Sequence, residues 1–225
     1  MPHEVIASVS AVAPAKAELA MLISLGAFHG LNPGMGWLFA VALGMQERRR
    51  GAVLRALVPL CAGHALAVAG AVGVALALGA VVPIHQLRWP IALVLASLGV
   101  MRFFRHLHPR WVGMRVGMRG LTVWSFLMAT AHGAGLMVVP VFVGMSMANE
   151  GEHMHHGAVA AAATNASVAL LATGLHAASY LAVTAVVALI VFDKLGVGIL
   201  RRAWFNLDLI WAIALVATGA ATFLL

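Results

Sequence analysis

Long apolar runs, separated by short polar or basic connections, organise this chain of 225 residues. Six of them, at 17–45, 52–82, 89–104, 120–147, 157–192 and 205–225, approach or exceed the roughly 20 mostly apolar residues that a helix needs to cross a bilayer. The longest outrun the hydrocarbon thickness and must tilt, break or project beyond it. The pattern predicts an all-α integral membrane protein with six transmembrane helices.

Composition narrows this further. Hydrophobic residues make up 63% of the chain and charged residues 9%, with a mean hydropathy of +0.99. Globular domains run at about 45–50% apolar and about 25% charged, so this chain has too few polar residues to cover a soluble surface. The net charge of +7 and a pI near 11.3 would suggest nucleic acid in a soluble protein. Here the positions of the 14 basic residues decide instead. Arg48, Arg49, Arg50 and Arg55 lie at the first connection. Arg102, Arg105, Arg110, Arg115 and Arg119 surround the third, and Lys194, Arg201 and Arg202 the fifth. Only Lys16 and Arg88 fall on the other side. By the positive-inside rule the N- and C-termini are outside and the arginine-rich loops cytoplasmic, as in a multi-pass inner-membrane protein. The basic charge is topology, and no nucleic-acid partner follows from it.

The two halves resemble each other. Ala27-Phe28-His29-Gly30 is matched by Thr130-Ala131-His132-Gly133, and Ala62-Gly63-His64-Ala65 by Gly174-Leu175-His176-Ala177. Trp89-Pro90-Ile91-Ala92-Leu93-Val94 is matched by Trp211-Ala212-Ile213-Ala214-Leu215-Val216. Each half holds three spans, an odd number, so the second is inverted relative to the first. The organisation expected is an extracytoplasmic lead-in over 1–16, a three-helix repeat over 17–105, a basic cytoplasmic linker over 106–119 and a second repeat over 120–225. Inverted repeats with a midplane site on interrupted helices are a recurrent plan for secondary transporters. The first span is interrupted at Gly30-Leu31-Asn32-Pro33-Gly34-Met35-Gly36, where proline and glycine free backbone polar groups. Such a break is tolerated only where protein or a wet cavity satisfies those groups.

His29, His64, His132 and His176 fall inside the spans at equivalent positions of the repeat. A lone buried histidine is most often structural. Four related by an internal symmetry point to a shared site, since intramembrane ionisable residues mark sites and pathways. Asn32 is three residues from His29, Cys61 three before His64, and Asn165 eleven before His176, on the same helical faces. Imidazole with a nearby thiol or thioether suits late or soft transition metals, and no span carries a central carboxylate. Glu150-Gly-Glu152-His153-Met154-His155-His156 forms a His-rich tract at the fourth connection. It is an accessory metal-loop candidate or a solvated loop. The single cysteine, Cys61, forbids an internal disulfide.

The run Leu25-Gly26-Ala27-Phe28-His29-Gly30-Leu31-Asn32-Pro33-Gly34-Met35, with Gly63-His64 after the arginine turn, resembles the NicO-type nickel/cobalt efflux proteins of the LysE-like six-span exporter superfamily. The similarity covers about residues 22–70. It implies a metal-cation exporter with His29 and His64 at family histidine positions. Asn32 stands where that family has an acid, and Met35 where it has a second histidine. This shifts the expected ion from nickel or cobalt toward copper(I), zinc or a non-metal substrate. The leading expectation is therefore a secondary transporter exporting a transition-metal cation through His29, Asn32, Met35, His64, His132 and His176, with proton coupling through histidine. The alternative from another class is an intramembrane redox protein or metalloenzyme using the same histidines for a fixed metal or haem. A scaffold whose histidines merely pack is a third. No nucleotide-binding motif, serine nucleophile elbow or CxxC is present.

Overall fold

The computed structural model describes residues 16–104, 117–150, 158–195 and 207–224. Among these the chain is all-helical. Helix α1 spans Lys16–Leu31, and a 3-10 turn at Pro33–Met35 leads into α2, Trp37–Glu47. Then follow α3, Arg50–Gly79, α4, Ile84–Phe104, α5, Met118–Ala131, and α6, Ala134–Glu150. Helix α7, Ala158–Ile190, ends in a π-helical turn at Val191–Leu195, and α8 runs over Leu207–Leu224. Among the described residues, Arg50–Gly79 and Thr164–Leu195 are long and apolar enough to cross a membrane. The pair Met118–Ala131 and Ala134–Met147, bent by 62°, makes a third when taken as one span. Trp89–Met101 and Ala212–Thr222 are shorter apolar helices. The lead-in before Lys16 and most of the basic linker lie outside the described residues.

Both breaks have a local chemical cause. Asn32 is extended (φ −72°, ψ 120°) and its side-chain oxygen accepts from the Gly34 N–H at 2.8 Å, capping the turn that Pro33 opens. Gly36 closes that turn at φ 122°, a conformation open to glycine but not to a β-carbon. The second break turns on Gly133, at φ 72°, directly after His132. The sequence pattern marked the first break through its proline; the second depends on one glycine.

Close helix contact comes from small residues. Helix α1 runs parallel to α7, with Gly26 against His176–Tyr180 and Gly30 against Tyr180–Thr184. Helix α3 lies along α5, where Gly63 meets the Thr122 carbonyl and Ser125 donates to the Leu60 carbonyl at 2.6 Å. Helices α4 and α8 are antiparallel: Gly99 lies against Ala212 and Val216, while Gly219 lies against Ala92 and Ala96. In an apolar solvent such contacts supply the dispersion that holds helices together, because hydrophobic burial there contributes little. At one end of the bundle Arg50 bonds Asp193 at 2.7 Å, tying the start of α3 to the π-turn of α7. Beside it Glu47 receives Arg49 and Arg55. The Arg49 hydrogen bond holds the Glu47 carboxyl below its usual range.

Glycines at these contacts are expected to differ sharply from exposed ones. A β-carbon on Gly26 or Gly63 would overlap a backbone carbonyl of the neighbouring helix, whereas one on Gly70 or Gly73 meets nothing within 4 Å. Gly26→Ala and Gly63→Ala should each cost about 1–3 kcal/mol by overpacking. Gly70→Ala and Gly73→Ala should be neutral or gain up to about 1 kcal/mol in helix propensity. Thermal unfolding of the detergent-purified variants checks the ordering.

Candidate functional site

Three helices deliver one histidine each to a common point. His64 is the central residue of α3, His176 lies mid-way along α7, and His29 stands at the end of α1 just before its break. All three are fully buried. The His64 and His176 rings are nearly parallel (12°) with centroids 5.3 Å apart, and their Nε2 atoms approach to 3.2 Å. His29 stands edge-on to both, at 5.6 Å from His64 and 5.0 Å from His176.

Hydrogen bonding assigns roles to the ring nitrogens. A contact between two imidazole nitrogens works only if one donates and the other accepts, so a single proton lies between His64 and His176. His29 Nδ1 is 2.6 Å from the Leu25 carbonyl, a bond it can make only as donor, which leaves Nε2 as the lone-pair nitrogen. His132 repeats this arrangement: Nδ1 donates to the Met128 carbonyl at 2.8 Å, again four residues back, and its Nε2 carries the lone pair. His132 is buried and within electrostatic reach of His29.

The remaining candidates divide. Asn32 is buried, but its carbonyl oxygen is occupied by the Gly34 N–H, so its first role is to shape the turn. Met35 is buried in that turn. Cys61 is half-buried on α3, one turn from His64. Asn165 is half-buried on α7 and, eleven residues from His176, stands roughly 16 Å away along the helix axis. It shares a face with the cluster but not a level. Glu152, His153, His155 and His156 lie outside the described residues, as does the side chain of Glu150. Among the described residues, no group of three or more His, Cys, Asp or Glu side chains is arranged to hold a metal ion. His64 also stacks on Tyr180, with ring centroids 3.9 Å apart.

Two side chains that the sequence pattern did not single out complete the arrangement. The Tyr180 ring lies against His64, and its hydroxyl donates to the Met35 carbonyl at 2.7 Å. It thereby satisfies a backbone group that the first break sets free. Trp37 does the same for the Leu31 carbonyl, with its indole N–H at 3.0 Å. The break is thus sealed by protein rather than by a wet cavity. Ser125 ties α5 to α3 one turn below His64. The available signal was that Tyr180 is the only tyrosine in the chain, one helical turn after His176 in an apolar run.

No family model, curated protein or solved structure matches this chain. The resemblance to the NicO type accordingly rests on its motif residues alone.

Removing the tyrosine hydroxyl isolates its contribution. Tyr180→Phe keeps the stack on His64 but leaves the Met35 carbonyl buried without its donor, which should cost about 1–3 kcal/mol. A thermal unfolding midpoint equal to wild type would show that water replaces the hydroxyl at the turn.

Proposed function

We propose that the protein is a six-span secondary transporter of the inner membrane that exports a transition-metal cation, built from two inverted three-helix repeats with both termini outside. The observation that carries this reading is the meeting of His64 and His176, equivalent residues of the two halves, at 3.2 Å. In an inverted repeat the pseudo-twofold axis lies in the membrane plane, and only equivalent residues on that axis can touch each other. Other packing supports the same relation. Exchanging the halves carries α1 to α5, α3 to α7 and α4 to α8. The α1–α7 contact then maps onto α5–α3. The pairs α3–α7 and α4–α8 map onto themselves, which requires each pair to be antiparallel, as both are. Each half also breaks its first span just after the equivalent histidine, at Asn32-Pro33 and at Gly133.

A cation would enter by parting the hydrogen-bonded pair, since among the described residues no three His, Cys, Asp or Glu side chains are arranged to hold one as they stand. In a carrier this contact has a function: each imidazole meets the other's Nε2 when no ion lies between them. His29, His64, His132 and His176 are the proposed transit residues, with the two breaks as the moving parts. Asn32 supports the turn, and Met35 and Cys61 stand beside the site as soft donors.

Metal binding by the purified full-length protein, followed by equilibrium dialysis with Ni²⁺, Co²⁺, Zn²⁺ and Cu⁺, tests the proposal. At least one of these ions should bind, and Ala at His29, His64 or His176 should weaken it by about tenfold or more per lost ligand. In proteoliposomes the same variants should lose ion flux. Wild-type affinity and flux in all three would remove the histidines from the pathway.

A further inference from the structure

The interior around the histidines is polar but uncharged. Among the described residues the buried polar side chains are histidines, hydroxyls and one amide, with no carboxylate, lysine or arginine. Glu18, the one acid on α1, is half-buried beside Gly144 and eleven residues before His29, roughly 16 Å along the helix. The cost of desolvating an ion rises with the square of its charge. A divalent cation in this neutral interior therefore costs about four times what a monovalent one does, with no fixed charge to offset it.

Soft donors lie where carboxylates are missing. Met35, Met128 and Met137 are all buried and pack with Tyr180 in one cluster. Their positions in the chain are related to the two breaks. Met35 sits in the turn between α1 and α2. Met128 and Met137 flank the turn between α5 and α6, and Met128 also lies over Gly34 of the first turn. The Met128 carbonyl is the one that orients His132. Tyr180 touches His64 on its face and the Met35 carbonyl through its hydroxyl, so the thioether cluster and the imidazole cluster share a wall.

From the neutral interior and the convergence of thioethers from both breaks, we infer that the transported ion is monovalent copper. It would be bound by Met35, Met128 and Met137, on the far side of Tyr180 from the His64 ring. Thioether and imidazole are the ligand types that select this soft ion, whereas nickel and cobalt favour sites with harder donors. The inference rests on the transport reading above and names its cargo.

Competition titration of the anaerobic full-length protein with Cu⁺, Zn²⁺ and Ni²⁺ provides the test, using a chromophoric Cu⁺ chelator. Cu⁺ should bind at least about a hundredfold more tightly than either divalent ion. Met→Leu preserves volume, so the triple variant Met35→Leu, Met128→Leu, Met137→Leu should fold. It should lose about tenfold or more in Cu⁺ affinity while any Zn²⁺ binding stays unchanged. Selenomethionine-labelled protein should show copper–selenium scattering in its X-ray absorption spectrum. Preference for Zn²⁺ or Ni²⁺, or wild-type Cu⁺ affinity in the triple variant, overturns the copper assignment and leaves transport standing. Binding of none of these ions overturns both.

Discussion

A helix interrupted in a buried, apolar setting leaves amides and carbonyls that must find partners within the protein, and side chains around the histidines supply several of them. Asn32 covers the Gly34 amide, Trp37 the Leu31 carbonyl and Tyr180 the Met35 carbonyl. Because the last of these donors comes from α7, the turn cannot be built by α1 and α2 alone. The close approach of α1 to α7 at Gly26 and Gly30 is what brings Tyr180 within reach. The stack of Tyr180 on His64 then fixes the imidazole that meets His176. Backbone satisfaction, helix contact and ring placement form one dependent series.

Much of this was legible in the sequence, for identifiable reasons. The apolar stretches became helices even across Pro59, Pro90 and Pro140. The expected interruption after His29 appears between Asn32 and Gly36, where Pro33 removes an amide donor and Gly36 takes φ 122°. His29, His64 and His176, three of the four histidines that the pattern grouped, meet across three helices. What the pattern missed had weaker local marks. The bend after His132 depends on Gly133 alone, one glycine among 23. Tyr180 acts through a hydroxyl whose partner is 145 residues away, information that no local window contains. Asn165 illustrates the opposite error: a shared face does not mean a shared depth, and three turns separate it from the cluster.

The histidines are also held with unequal firmness. His29 and His132 are each fixed by a bond to their own helix, four residues back, so their orientation survives movement of neighbouring helices. His64 and His176 are fixed by each other, and that bond exists only while α3 and α7 stay together. One pair is set locally and the other by tertiary contact. Separation of α3 from α7 would break the second arrangement and leave the first intact.

The contact between His64 and His176 also bears on how the molecule is made. Residue 64 leaves the ribosome 112 residues before its partner, so α3 enters the membrane with an imidazole whose bond is not yet possible. A polar ring in hydrocarbon is costly until it finds a partner. The first half of the chain thus inserts in a state that favours holding α3 near the insertion machinery, or near other polar groups, until α7 arrives. The His64–His176 bond therefore forms only once the second half has been synthesised.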